Sequence, residues 1–225
     1  VETANLLSDA LTKDEEKRWD VILVDEAQDF RKEWWISIMD CLRHPSESYC
    51  WAFTDPKQNV YQLDQHLGEF DLRPFHLIKN CRNTEKIAKA AYGYVGETPN
   101  MFMHSPEGED IKVKNIKNEE NQLSEIKDIL DKLIEKEKVA LSSITILTAK
   151  STRQSILWNL RHKIKYDIST KRGQNNKIFF SSIKRFKGLD SDVVILMDVD
   201  DSISELDLYT GTSRAKHKLY LLKTN

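Results

Sequence analysis

Apolar positions along this chain fall into short unbroken runs separated by longer amphipathic stretches. Val21–Val24, Tyr49–Phe53, Ile144–Leu147 and Val193–Val199 are continuous apolar or nearly continuous runs. Runs of this length predict strands buried on both faces, as in the centre of a parallel sheet. Phe75–Ile78, Ile111–Ile116, Lys177–Ser182 and Leu219–Leu222 are further strand candidates. Between the runs the spacing is helical. Trp34, Trp35, Ile38, Met39 and Leu42 line one face over 33–42. Leu123, Ile126, Ile129, Leu130, Leu133 and Ile134 mark a long helix with a charged outer face, and Ile156, Leu157 and Leu160 a helix over 152–162. A shorter helical pattern opens the chain at Leu6, Leu7, Ala10 and Leu11, and another helix starts near Ile203. Thr84 reads as the cap of a helix over 85–94, and 99–110, with two prolines and a glycine, reads as a loop. Strands alternating with helices predict an α/β fold with parallel sheets.

Length and charge narrow this picture only a little. The 225 residues suit one large or two small α/β domains. The net charge is only −2 although 31% of residues are charged, so an argument for nucleic acid has to rest on local patches. No run approaches the roughly 20 apolar residues that span a bilayer, and no secretory signal opens the chain. A cytoplasmic protein without a membrane part is expected. Cys41, Cys50 and Cys81 lack metal-site spacing and read as reduced thiols. Numbering starts at Val1, which suggests a piece of a longer protein.

Candidate chemistry begins where the first run stops, at Asp25 and Glu26. Sites in open α/β sheets sit at the carboxyl ends of strands. An Asp there holds Mg²⁺ directly or through water, and an adjacent Glu takes a proton from an attacking water; a plain polar turn is the other reading. The second run ends at Thr54-Asp55-Pro56-Lys57-Gln58-Asn59-Val60-Tyr61. A Gln in such a turn both donates and accepts, so Gln58 suits a bridge between a water or phosphate and the carboxylates. From Arg161 to Lys187, nine Lys or Arg stand against one acid, Asp167. Such a run is either a solvated face or a phosphate-binding track. Arg82 taken alone reads as a surface ion pair.

Five stretches, taken together and in this order, resemble the motifs of superfamily 1 helicases of the UvrD/Rep type. Asp25-Glu26-Ala27-Gln28-Asp29 resembles motif II, the Walker B motif. Thr54–Tyr61 is similar to motif III, G-D-x-x-Q-x-I-Y, with Thr54 for the glycine and Leu63 where a tryptophan is usual. Leu77–Thr84 is similar to motif IV, L-x-x-N-Y-R-S, with Cys81 for the tyrosine. Ser182–Asp190 resembles motif V, T-x-H-x-x-K-G-L-E, with Lys184 for the histidine and Asp190 for the glutamate. Tyr209–Lys216 resembles motif VI, Y-V-x-x-T-R-A. The wording Asn-Cys-Arg-Asn-Thr and Phe-Lys-Gly-Leu resembles that of compact UvrD-like proteins that sometimes follow a nuclease-related domain.

The resemblance implies an α/β fold of RecA-like parallel sheets: the C-terminal part of a first RecA-like domain over 1–75, holding motifs II and III, and a complete second one over 76–225, holding motifs IV, V and VI. It implies no large helical insertion. ATP and Mg²⁺ are the implied cofactors, with ATP bound between the two domains. Asp25 would organise Mg²⁺, Glu26 would activate water and Gln58 would sense the γ-phosphate. Arg82 would reach a phosphate, and Arg214 would be the arginine finger. Gly188 would approach phosphate or ribose through its backbone, and Asp190 would contact the ribose. Tyr61, Lys184 and Arg185 would touch DNA. The implied partner is single-stranded DNA or a DNA junction, with 3′ to 5′ movement. Cys81 cannot supply the adenine stack, and Leu63 predicts weaker or rearranged strand binding. None of the seven glycines opens the Walker A pattern G-x-x-x-x-G-K-[ST]. The expectation is the C-terminal part of an ATP-dependent DNA helicase, inactive by itself, whose partner is an N-terminal segment or a nuclease-related domain of the same protein. The alternative is a nonhydrolytic helicase-like module that binds nucleic acid or protein. The missing Walker A, Cys81 and Leu63 favour it, and Glu26, Gln58 and the two arginines oppose it.

Overall fold

The computed structural model describes residues 2–13, 17–44, 46–55, 67–70 and 72–224. The chain divides into two compact units, Val1–Leu77 and Ile78–Asn225.

The first unit contains α1 (Glu2–Lys13), β1 (Val21–Val24), α2 (Lys32–Asp40) and β2 (Tyr49–Ala52). β1 and β2 pair in parallel, with Val21 opposite Tyr49 and Val24 opposite Ala52. Trp35 of α2 is buried with Val24 and Ala27, and Ile22, Phe30, Cys50, Ala52 and Phe70 pack around them. The Trp35 ring meets Phe30 at 5.8 Å and Phe70 at 6.1 Å. Val21–Val24 does not have the two buried faces its composition predicts. Val21, Leu23, Tyr49 and Trp51 are 51%, 67%, 64% and 55% exposed. The reason is that α2 and its neighbours cover one side of this sheet, and no second layer stands on the other side among the described residues.

The second unit is a six-stranded, wholly parallel sheet in the order β3-β8-β7-β4-β6-β5. Its elements are α3 (Glu85–Gly93), β3 (Lys112–Ile116), α4 (Glu119–Asp131), β4 (Ile144–Thr148), α5 (Ile156–Leu160), β5 (Ile168–Ser169), β6 (Ile178–Ser182), β7 (Ser191–Val199), α6 (Glu205–Thr212) and β8 (Ala215–Thr224). The unbroken apolar runs are explained by layers on both faces. Val193, Ile195 and Met197 of β7 pack with Ile126 and Leu130 of α4 and Leu157 of α5. Val194 and Leu196 pack on the other side, in the cluster that holds Ile87 of α3, Ile183 and Phe186. Both units therefore have the α/β architecture with parallel sheets that the hydrophobic pattern predicts.

Local readings fare unevenly. Phe75–Ile78 forms no strand; its side chains are exposed, and the nearest ladder contact is a single bridge between Asn80 and Met101. The helix expected over 152–162 is α only from Ile156 to Leu160. In the preceding turn Gln154 and Ser155 N–H both donate to Ser151 O, and Ser151 Oγ donates to the Gln154 side chain at Oε1. α4 runs on into a π-helical turn, Lys132–Lys136, that buries Leu133. Thr84 takes the cap position of α3 by backbone geometry alone, with its buried hydroxyl unbonded. Gly108 lies directly against it: a Cβ there would come within 2.4 Å of the Thr84 Cβ, and its φ is +82°.

Gly108→Ala combines that overlap with a left-handed backbone. It is expected to lower stability by about 1–3 kcal/mol, read as a shift in the denaturation midpoint. A second prediction concerns Lys218, which binds Glu109 at 2.7 Å and Glu137 at 2.6 Å. The hydrogen bond from Lys218 is the main cause holding each carboxyl below its ordinary value of 4.5. A depressed carboxyl contributes stability that is present above the unfolded value and is lost as pH falls through the folded one. The destabilisation by Lys218→Met, measured by urea unfolding, is therefore expected at neutral pH and to fade below pH 4.5.

Candidate functional site

In the first unit, β1 ends at buried Val24, and the exits of the two strands are laced together. Phe53 N–H donates to Val24 O, and Ala27 N–H donates to Phe53 O, both at 2.8 Å. Between these bonds the chain has to turn within two residues. Glu26 makes the turn in the left-handed region, at φ 51°. For a residue with a Cβ this conformation costs about 1–2 kcal/mol. Glu26 N–H donates to Asp25 Oδ1 at 2.9 Å. Asp25 is exposed and Glu26 is partly buried.

The residue that sequence reasoning missed here is Gln28. It is 1% exposed. Its Nε2 donates to Glu26 Oε2 at 2.6 Å, and its Oε1 accepts from Asp55 N–H at 3.1 Å. One amide thus fixes the Glu26 carboxylate and ties it to the first residues of the Thr54–Tyr61 stretch. The signal was available: an amide two positions after an acid pair can do what was assigned to Gln58. Gln58 and Tyr61 lie outside the described residues. Among the described residues, no group of three or more His, Cys, Asp or Glu converges on one point.

In the second unit, the site residues gather at the amino ends of β7 and β8. Ser191 stands opposite Ala215, and Ser191 N–H donates to Arg214 O at 3.0 Å. That pairing sets Asp190 beside Lys216, whose Nζ lies 2.7 Å from Asp190 Oδ1. Arg82 Nε approaches the other oxygen, Oδ2, at 3.7 Å. Asp190 is therefore shared by a lysine and an arginine from distant parts of the chain. The loop carrying Arg82 is held by Asn83, whose Nδ2 donates to Ser213 O at 2.9 Å and Ala215 O at 2.6 Å. Thr84 N–H adds a bond to Lys216 O.

Arg214 is placed differently from the outward-pointing group expected of a finger. It is 1% exposed. Nε donates to Thr210 O at 3.0 Å, Nη1 to Leu189 O at 3.1 Å and Nη2 to Ser213 Oγ at 3.1 Å. Here it braces the turn before β8 against the residues before β7. Gly188, at φ 76°, is exposed just ahead of them. Lys184 and Arg185 are exposed on a single 3₁₀ turn that is anchored by buried Phe186. Part of the basic run is used internally: Lys165 pairs with Glu135, and the Arg161 guanidinium lies 4.0 Å from the Trp158 ring centroid.

Residues 177–222 match the family model of the UvrD-like helicase C-terminal domain. That stretch of the chain is similar to a UvrD-like helicase C-terminal domain. The matched segment runs from β6 into β8, so it includes Lys184, Arg185, Gly188, Asp190, Arg214 and Lys216. Arg82 and Asn83 lie outside it and join it through the bonds described above. Among solved structures, the C-terminal domain of a possible DNA helicase from Lactobacillus plantarum WCFS1 is 20% identical, with a TM-score of 0.48 over 64% of this chain and 86% of that one. The PRRSV helicase is 16% identical, with a TM-score of 0.48; the likeness covers 89% of this chain and 34% of that one. No curated protein matches the chain. No helix among the described residues is long and apolar enough to cross a membrane.

Gln28→Ala would remove the bonds that its side chain makes to Glu26 Oε2 and Asp55 N–H. The expected loss is about 1–3 kcal/mol, located in the first unit by faster hydrogen exchange at Asp55 than in the unsubstituted protein.

Proposed function

We propose that this chain is part of an ATP-driven helicase or translocase acting on single-stranded DNA. The observation that supports this reading is the gathering of Asn80–Thr84, Leu189–Asp190 and Ser213–Lys216 around one carboxylate that carries two cations. Glu26, fixed by Gln28, is the base for the attacking water. Arg82 meets a nucleotide phosphate, with the planar fork that suits it, while Gly188 and Asp190 border the nucleotide. Arg214 acts on the transferring phosphate once it is released from its carbonyls. Gln58 and Tyr61 keep their roles as phosphate sensor and base-stacking ring on the resemblance alone.

The acid pair fits a magnesium ion that arrives with a nucleotide. Such an ion takes one or two carboxylates and fills its other positions with water and phosphate oxygens. When bound it would withdraw charge from the phosphates, with Asp25 as its protein ligand. The sequence does not supply the phosphate cradle, since no glycine opens the Walker A pattern. Lys184 and Arg185, exposed side by side, lie along the strand of DNA. The second reading is a nonhydrolytic helicase-like module for nucleic acid or protein. One observation favours it: the inward placement of Arg214, whose guanidinium is buried and bonded to Thr210 O, Leu189 O and Ser213 Oγ.

Turnover by a longer gene product separates the readings, and DNA binding tests the strand-contacting residues. Purified residues 1–225 are expected to show no ATP turnover. A longer product of the same gene that carries G-x-x-x-x-G-K-[ST] is expected to show DNA-stimulated turnover that Glu26→Gln abolishes. Persistent turnover in that variant would remove Glu26 from the reaction. Binding of residues 1–225 to a labelled oligothymidine, followed by fluorescence anisotropy, is expected to weaken with salt. Lys184→Ala and Arg185→Ala are each expected to lower the salt slope by about one. A binding constant indifferent to salt removes these residues from the DNA path.

A further inference from the structure

Arg82 and Arg214 are far apart in sequence, yet a single buried side chain ties their segments together. Asn83 is 4% exposed. It donates both to Ser213 O and to Ala215 O, the carbonyls on either side of Arg214. Its Oδ1 accepts from Asn80 Nδ2 at 3.0 Å. Asn80 Oδ1 in turn accepts from the backbone N–H of Arg82 at 3.0 Å and of Asn83 at 3.1 Å. The two amides thus form a relay from the backbone of Arg82 to the strand start that carries Arg214 and Lys216. Its bonds run from 2.6 to 3.1 Å, and its end at Asn83 is shielded from water.

Among the described residues, no comparable bond restrains the Arg82 side chain. Its ion pair with Asp190 is at 3.7 Å and half exposed, the kind that contributes little orientation by itself. The direction in which Arg82 projects is therefore set by the backbone, and the backbone is set by the relay. We infer that Asn83, acting with Asn80, is the positioning residue that holds Arg82 in register with Lys216 and Arg214 for an incoming polyphosphate. This inference rests on the reading of Arg82 as a phosphate contact. It adds that the contact depends on a residue that touches no ligand. The reason Asn occupies position 83 is chemical: two carbonyls and one side-chain amide must be met from one short side chain, which takes two N–H bonds and one acceptor.

The test uses residues 1–225 and inorganic tripolyphosphate, with affinity measured by titration calorimetry well below the unfolding temperature. The Nε–Hε signal of Arg82 in ¹⁵N NMR gives a second readout. Asn83→Ala and Asn80→Ala are each expected to weaken binding by about tenfold and to change the Arg82 signal. The double variant is expected to lose no more than either single one, because both act on one relay. Asn80→Ala leaves the grip of Asn83 on β8 intact, so it serves if Asn83→Ala does not fold. Arg82→Gln is the control. If Arg82→Gln weakens binding while both Asn variants bind as the unsubstituted chain does, the relay is merely structural and the inference is overturned. If Arg82→Gln changes nothing, or if tripolyphosphate does not bind at all, the phosphate reading of Arg82 fails and the inference falls with it.

Discussion

The parallel ladder between β7 and β8 places Ser191 opposite Ala215, and the second unit's site follows from that pairing. β7 is buried over nearly all of its length and β8 over Leu219–Leu222, because helices cover the sheet on either side. A strand in that position cannot slip by one residue without turning its apolar set to the wrong face. That fixes the register over Val193–Leu196; an irregularity between Ser191 and Val193 offsets the Ser191–Ala215 pair from it, and the bond from Ser191 N–H to Arg214 O holds the two strand starts together. Asp190 precedes one and Arg214 the other. Lys216, one residue inside β8, reaches the Asp190 carboxylate because the two strand starts are neighbours. The loop with Arg82 then docks onto this prepared edge through backbone and amide bonds, not through an apolar contact.

Polar groups in such a place must be satisfied, and this sorts the candidate residues. Gln28, Asn83 and Arg214 are each almost wholly buried, and each is held by several bonds. Their geometry is fixed by the cost of leaving a buried donor or acceptor without a partner, about 1–3 kcal/mol for each group. Asp25, Lys184 and Arg185 are exposed and carry no such constraint. The chain thus separates side chains that hold a shape from side chains that face solvent.

The separation explains what could be read from the sequence. Continuous apolar runs at Ile144–Leu147 and Val193–Val199 announce strands covered on both faces, and the structure has them. The same pattern at Val21–Val24 identifies a parallel strand correctly but says nothing of whether a layer stands over its second face. Phe75–Ile78 has the composition of a strand but no ladder to join, and composition does not encode the neighbour. The β5 strand, two residues long, is below the length at which any periodicity shows. At the sites, spacing within a motif was legible because it is local. The Asn83 relay was not, since its bonds join positions 130 and 132 apart. Gln28 was local, but it stood inside a string whose acids drew the functional reading.

The two arginines, equivalent by motif, are unequal by physics. The Arg214 guanidinium is buried and donates to two carbonyls and a hydroxyl. Hydrogen bonds made by a charged group contribute roughly 1.5–3 kcal/mol each, so turning it outward means giving up several of them at once. Arg82 would leave behind its loose, half-exposed ion pair with Asp190, worth about 0–1 kcal/mol. On the proposed phosphate reading, Arg82 and Lys216 are the cations a ligand would meet first, with Asp190 as the anion it would displace. Recruiting Arg214 requires the turn Thr210–Ser213 to open, and that turn is bound to the same β8 start that Asn83 grips. A ligand that moves one arginine therefore acts on the support of the other.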